Sequence, residues 1–206
     1  MLQATQFILQ AKPKENISPY LEVVSKHGCI EDSRLLYSLF LDNKNPELLG
    51  PVWLHGDAAL ADDLFKKAVQ NGDLHPDFPP EIFYALSYLE HPETEHILFN
   101  YYKQLFDGDM GWDLHTIVCL SLLNYTCAAY KTVIETEIEK CFAVHLFPEF
   151  IPVLACKTGN TALADSLYEH GCTKASSDAS AGLILGTALY GQKYRERFKS
   201  IFLFLL

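Results

Sequence analysis

"GDAALADDLF" at 56–65 and "GNTALADSLY" at 159–168 are near copies of one ten-residue stretch. They align without a gap, 103 residues apart. Gly56, Ala59, Leu60, Ala61, Asp62 and Leu64 recur as Gly159, Ala162, Leu163, Ala164, Asp165 and Leu167, and Phe65 answers to Tyr168. In the first copy Ala58, Leu60, Ala61, Leu64, Phe65, Ala68 and Val69 return at three- and four-residue steps, with Lys66 and Lys67 on the other face. That period belongs to an amphipathic helix. Asp57 stands where an N-cap is needed, and Asn71-Gly72 supplies a stop. The second copy has Asn160 as its cap, Leu163, Leu167 and Tyr168 on one face, and Gly171 at its end.

Each copy follows a short apolar helix and a tight turn: "PELLGPVWLHGD" (46–57) and "PEFIPVLACKTGN" (148–160). Further helix pairs lie around them. Residues 79–106 read as a helix, a break at His91-Pro92 and a second helix, Pro92 being tolerated in a first turn. Residues 112–125 and 128–142 form the next pair, and 178–191 with 192–206 the last. The helix at 112–125 is apolar nearly all round and must be covered on several sides. The turns fall near 56, 91, 126, 158 and 191, about 33 residues apart, so the copies are second helices of units three apart. The expected fold is all-α: a right-handed α-solenoid of about five helix-turn-helix units over 46–206. Helices at about 2–11, 17–26 and 31–41 form a less regular N-terminal cap, 1–45. No linker or low-complexity stretch divides the chain, which predicts a single domain, 1–206.

The stretch "ALSYLEHPETEHILFNYYKQLFDGDMGWDLHTIVCLSLL" (85–123), with its His-Pro-Glu turn and acidic loop, resembles the short two-helix repeats of the HEAT-like class. "VLACKTGNTALADSLYEHGC" (153–172) is similar to the second half of an ankyrin repeat, without the ankyrin Thr-Pro-Leu-His signature. The HEAT-like reading is preferred. It implies a protein-interaction scaffold. Some members of the short-repeat class are lyases that attach bilins to proteins, but no motif here carries that role over.

The chain lacks obvious catalytic equipment. "KHGC" (26–29) and "EHGC" (169–172) each offer His and Cys, yet each supplies two ligands where zinc takes four, or three and a water. In a solenoid the two pairs lie roughly 35 Å apart, by helix layers spaced about 8–10 Å. Gly28 and Gly171 read instead as helix ends, with His27 and His170 in the last turns. His115 and Cys119 share a helix face that reads as core. There is no G-x-S-x-G, Walker loop or G-x-G-x-x-G. "DGDMGWD" (107–113) lacks the full calcium-loop pattern, and "ETEIE" (135–139) reads as a solvated helix edge. No enzymatic activity, catalytic residue, metal or cofactor is expected.

Composition narrows the class further. Of 206 residues, 49% are apolar and 20% charged, which predicts a folded, soluble chain. No apolar run reaches the ~18 residues of a membrane span. The N-terminal stretch lacks the basic start and cleavage site of a signal peptide. The six cysteines are widely spaced without a C-x-x-C, as free thiols in a cytoplasmic protein would be. A net charge of −10 argues against nucleic acid and is compatible with a basic protein partner.

That charge is concentrated. Ala68 to Tyr130 carries nine acids against Lys103, a net −8 of the total −10. Within it, Asp73, Asp77, Glu81, Glu90, Glu93, Glu95, Asp107, Asp109 and Asp113, with the interleaved Tyr101 and Trp112, form the expected partner-binding site. Aromatic rings beside acids make good anchors for a basic surface. The expected function is therefore a binding module that neutralises a basic protein. Its most concrete form is a bacterial immunity protein that blocks a contact-delivered nuclease toxin, a class this small acidic chain is similar to in overall character. A HEAT-like scaffold and a bilin-lyase-like enzyme with a concave pocket are the alternatives.

Overall fold

The computed structural model describes residues 1–11, 15–104, 112–144, 154, 158–160, 162, 163 and 166. Among them lie nine α-helices and one minimal hairpin. The chain divides into two compact units, Met1–Leu98 and Phe99–Leu206. The last sequence-read helix pair, 178–206, lies outside the described residues.

In the first unit, α1 (Gln3–Gln10), α2 (Ser18–His27) and α3 (Ile30–Asn43) fall where periodicity places them. A short 3-10 turn at Pro46–Leu48 leads into α4 (Leu49–His55), then α5 (Ala58–Ala68). Leu60, Ala61, Leu64 and Ala68 are the buried stripe of α5, and Lys66 and Lys67 close its last turn, where cations suit the helix dipole. The chain then makes a hairpin, β1 (Val69–Gln70) against β2 (Asp73–Leu74). Asn71 and Gly72 both take positive φ, 54° and 85°, the conformation that a two-residue type I′ turn requires. The stop expected at Asn71-Gly72 is thus the turn of a hairpin, and "NG" is the signal for it. After it come α6 (Ile82–Tyr88) and the start of α7 (Thr94–Gln104).

Helices two apart in sequence pack together: α2 on α4, and α4 on α6. Side-chain bonds tie α3 to α5 and its cap. Tyr37 Oη donates to Asp63 Oδ2 at 2.7 Å, and Arg34 Nη2 donates to Asp57 Oδ2 at 2.9 Å. Val24, Leu36, Phe40, Leu49, Val52, Leu64, Phe83 and Leu86 form the core of this unit, each at most lightly touched by solvent.

Two turns are built alike. At Gly28-Cys29 and Gly56-Asp57 an extended glycine (φ −70° and −74°) is followed by an extended N-cap residue (φ −140° and −131°). A Cβ on either glycine would come within 2.5 Å of the carbonyl oxygen four residues earlier, Val24 or Val52. Each sequence reads His-Gly-x, and the two lie 28 residues apart. The first belongs to the segment expected to be irregular. The link at Leu89–Glu93 is built differently, with Glu90 left-handed at φ 54°.

Buried Asp32 organises the first of these turns. Its Oδ1 accepts from Leu2 N (2.8 Å) and Thr5 Oγ1 (2.6 Å), and its Oδ2 from Cys29 N (3.2 Å) and Cys29 Sγ (3.0 Å). Burial works against the charged carboxylate, but these bonds outweigh it and hold the pKa at about 2. One side chain thereby fixes the start of α1 to the start of α3.

The second unit contains the rest of α7, α8 (Trp112–Leu122) and α9 (Lys131–Val144), the last entered through a 3-10 turn at Ala128–Tyr130. Ile117, Val118, Cys119, Ser121 and Leu122 are buried and every other described side chain from Leu114 to Leu123 is half-buried, so α8 is covered on several sides. Asn160 Oδ1 accepts from Leu163 N at 3.1 Å, as Asp57 Oδ1 accepts from Leu60 N at 2.9 Å. The twin stretches therefore build the same cap. Their glycines differ: Gly159 is left-handed (φ 71°) with open space around it, whereas Gly56 is extended and crowded. The Leu167–Tyr168 face and Gly171 lie outside the described residues.

Candidate functional site

Six of the predicted acids belong to the first unit. Asp73 is exposed on β2 at the hairpin. Asp77 is exposed, and its backbone N–H donates to His75 Nδ1 at 3.2 Å. The same nitrogen lies 3.8 Å from the Asp77 carboxylate. Glu81 is half-buried at the N-cap of α6. Glu90 and Glu93 are exposed on either side of His91-Pro92, and Glu95 is half-buried in the first turn of α7, where negative charge suits the helix N-terminus. Between Ala68 and Tyr102 the sequence has no Lys or Arg. Two cations approach from elsewhere: Lys44 Nζ lies 4.6 Å above the Phe78 ring, and Lys66 faces His91. Among the described residues, neither makes an ion pair with Asp73, Glu81, Glu90 or Glu93.

Several acids outside this segment are paired, while Asp42, Glu47 and Glu139 are exposed like those within it. Glu22 pairs with Lys26 at 2.5 Å, Asp57 with Arg34, Asp63 with Lys67, and Glu137 with Lys140 at 2.7 Å. Pairing lowers the pKa of Glu22, chiefly through the Lys26 bond, and of Asp63, chiefly through the Lys67 bond.

The remaining site residues are placed only in part. Tyr101 lies half-buried on α7 in the second unit, while its neighbour Tyr102 is fully buried. Trp112 and Asp113 open α8, and their side chains lie outside the described residues, as do Asp107 and Asp109.

Tyr88, which the sequence-predicted site leaves out, presents an exposed ring. It is 51% exposed, whereas Phe83 and Phe99 are buried and Tyr84 packs edge-on against Trp53 at 5.9 Å. Glu81, Tyr84 and Tyr88 follow one another at helical steps of three and four, which sets them on one face of α6. The signal was there: Phe83 and Leu86 mark the opposite, buried face.

"ETEIE" is not a solvated edge throughout. Glu137 is only 5% exposed, because it falls three residues after Ile134 and beside Ile138 on the buried face of α9. Lys140 offsets its charge through one oxygen. Glu135 is half-buried and accepts from Asn160 Nδ2 at 2.9 Å; only Glu139 is exposed.

Three of the six thiols, Cys29, Cys119 and Cys127, are among the described side chains. Cys29 donates to the Asp32 carboxylate, which raises its pKa and disfavours the reactive thiolate. Cys119 is buried, and Cys127 donates to Leu122 O at 3.3 Å. His55 Nε2 lies 2.9 and 3.0 Å from the Val24 and Ser25 carbonyls, so it donates to the end of α2. Among the described residues no three His, Cys, Asp or Glu gather as a metal site, and no helix is long and apolar enough to cross a membrane.

No family model, curated protein or solved structure matches this chain.

Proposed function

We propose that this chain is a protein-binding module whose first unit docks a basic protein partner. The carrying observation is the segment from Ala68 to Leu98. It holds six acids and no Lys or Arg, and Asp73, Glu90 and Glu93 stand exposed without a cationic partner among the described residues. Exposed, unpaired carboxylates steer a cationic surface inward and gain more from its arrival than acids already paired. Tyr88 offers a ring beside them for a guanidinium to stack on.

The finer architecture belongs to the same reading. The packing of α2 on α4 and α4 on α6, with the His-Gly-x turn repeated, supports a helical-repeat scaffold that presents its loops along one edge. The most concrete partner is a nuclease toxin domain, whose phosphate-binding site is rich in Lys and Arg. The protein would then act as its immunity protein in the cytoplasm, by occupying that site.

Co-expression with the product of the neighbouring gene tests this form. A basic nuclease that the chain inhibits at equal stoichiometry, with inhibition weakening as salt rises, supports it. A neighbour that is neither basic nor inhibited removes the immunity form.

A further inference from the structure

His91 is a buried titratable group set inside the acidic segment. It is 6% exposed, with exposed Glu90 before it and, beyond Pro92, exposed Glu93. Its ring stacks on Phe65 of α5 with centroids 4.1 Å apart and planes at 22°. Nε2 lies 3.4 Å from Asp62 Oδ1 on α5, and Nδ1 lies 3.2 Å from Thr94 Oγ1 at the start of α7. The charged groups facing it include Asp62 and Lys66 from α5 and Glu93 from its own link. Burial disfavours the imidazolium and lowers its pKa below the usual 6.5; Asp62 and Glu93 oppose this, and Lys66 adds to it. The balance favours the neutral ring over the imidazolium.

We infer that His91 couples the acidic surface to protons: a cationic side chain docked at Glu90 and Glu93 and a proton on His91 exclude one another. This rests on the binding reading above. Glu93 and Asp62 supply the field that holds the proton. A partner's Lys or Arg seated on Glu93 cancels part of that field and expels the proton. By linkage, the proton weakens the partner by the same factor. Carboxylates titrate near 4, so a loss of binding between about pH 7.5 and 5.5 belongs to histidine. Two other histidines lie in the segment, His75 beside Asp77 and the exposed His96, and both serve as controls.

The test measures octa-arginine binding at constant ionic strength, at about pH 7.5 and 5.5. It compares the native chain with His91→Gln, His75→Gln and His96→Gln. The His91 ring resonance of the native chain is also titrated with and without the peptide. Binding to the native chain is expected to weaken about fivefold in acid, from one like charge added beside the docked cation. His91→Gln should lose that dependence, the two control variants should keep it, and saturating peptide should lower the pKa of His91. A pKa unmoved by the peptide, or a pH dependence that survives in His91→Gln, overturns the coupling alone. The ring titration needs no variant, so a misfolded His91→Gln leaves the test standing. Absence of octa-arginine binding at pH 7.5 overturns the acidic-surface reading, and the coupling with it.

Discussion

Single residues decide whether the first unit holds together and what it presents. Asp32 is buried and charged, and only its four hydrogen bonds make that affordable. Its pKa is about 2 in the fold against an ordinary 3.8. A depressed carboxylate stabilises the fold above its unfolded pKa, and that contribution fades as pH falls toward 2. The difference corresponds to about 2 kcal/mol. Asp32→Asn should therefore lose about 2–3 kcal/mol in urea melts at neutral pH. The gap from the native chain should narrow between about pH 4 and 2. Glu90 makes the opposite case. Its left-handed backbone suits Gly at lower cost, so Glu90→Gly should gain about 0.5–1 kcal/mol of stability. The same substitution should weaken binding to a basic partner, a split between melting and binding that a purely structural glutamate would not produce.

At the scale of elements, the described helices were legible because period and caps agree. Leu60, Ala61, Leu64 and Ala68 recur on one face of α5, and Asp57 and Asn160 cap where they were expected to. The hairpin was missed although Asn71-Gly72 announces it, since strands of two residues leave no alternation to read. Cys29 and Asp32 were missed because a Cys is an unusual N-cap and an acid is rarely buried. Glu137 was misplaced because charge was weighed above the Ile134–Ile138 register. The twin glycines show the limit of matching letters. Gly56 avoids a backbone oxygen, and Gly159 supplies a positive φ. Asn accepts a left-handed backbone but carries a Cβ. Gly159→Asn should therefore cost no more than a few tenths of a kcal/mol, and Gly56→Asn about 1–3 kcal/mol, both read from thermal melts.

For the molecule as a whole, the proposed function rests on charge alone. The sequence locates the acid excess, and the fold leaves Asp73, Glu90 and Glu93 exposed, while Glu22, Asp57 and Asp63 elsewhere are paired with Lys or Arg. It also leaves the Tyr88 ring exposed, while this segment's Phe83 and Phe99 are buried. No motif identifies the partner, because a binding surface needs complementary charge and shape rather than a fixed spacing of catalytic groups. The most direct measurement compares two triple reversals within the first unit: Asp73, Glu90 and Glu93 to Lys, against the equally exposed Glu22, Asp42 and Glu47 to Lys. Both change net charge by the same amount, and melts check that both fold. Affinity for octa-arginine is then read at low and high salt. The first set should weaken binding at least about tenfold more than the second and flatten its salt dependence. Equal losses in the two sets would contradict a docking surface at the hairpin and the α6–α7 link.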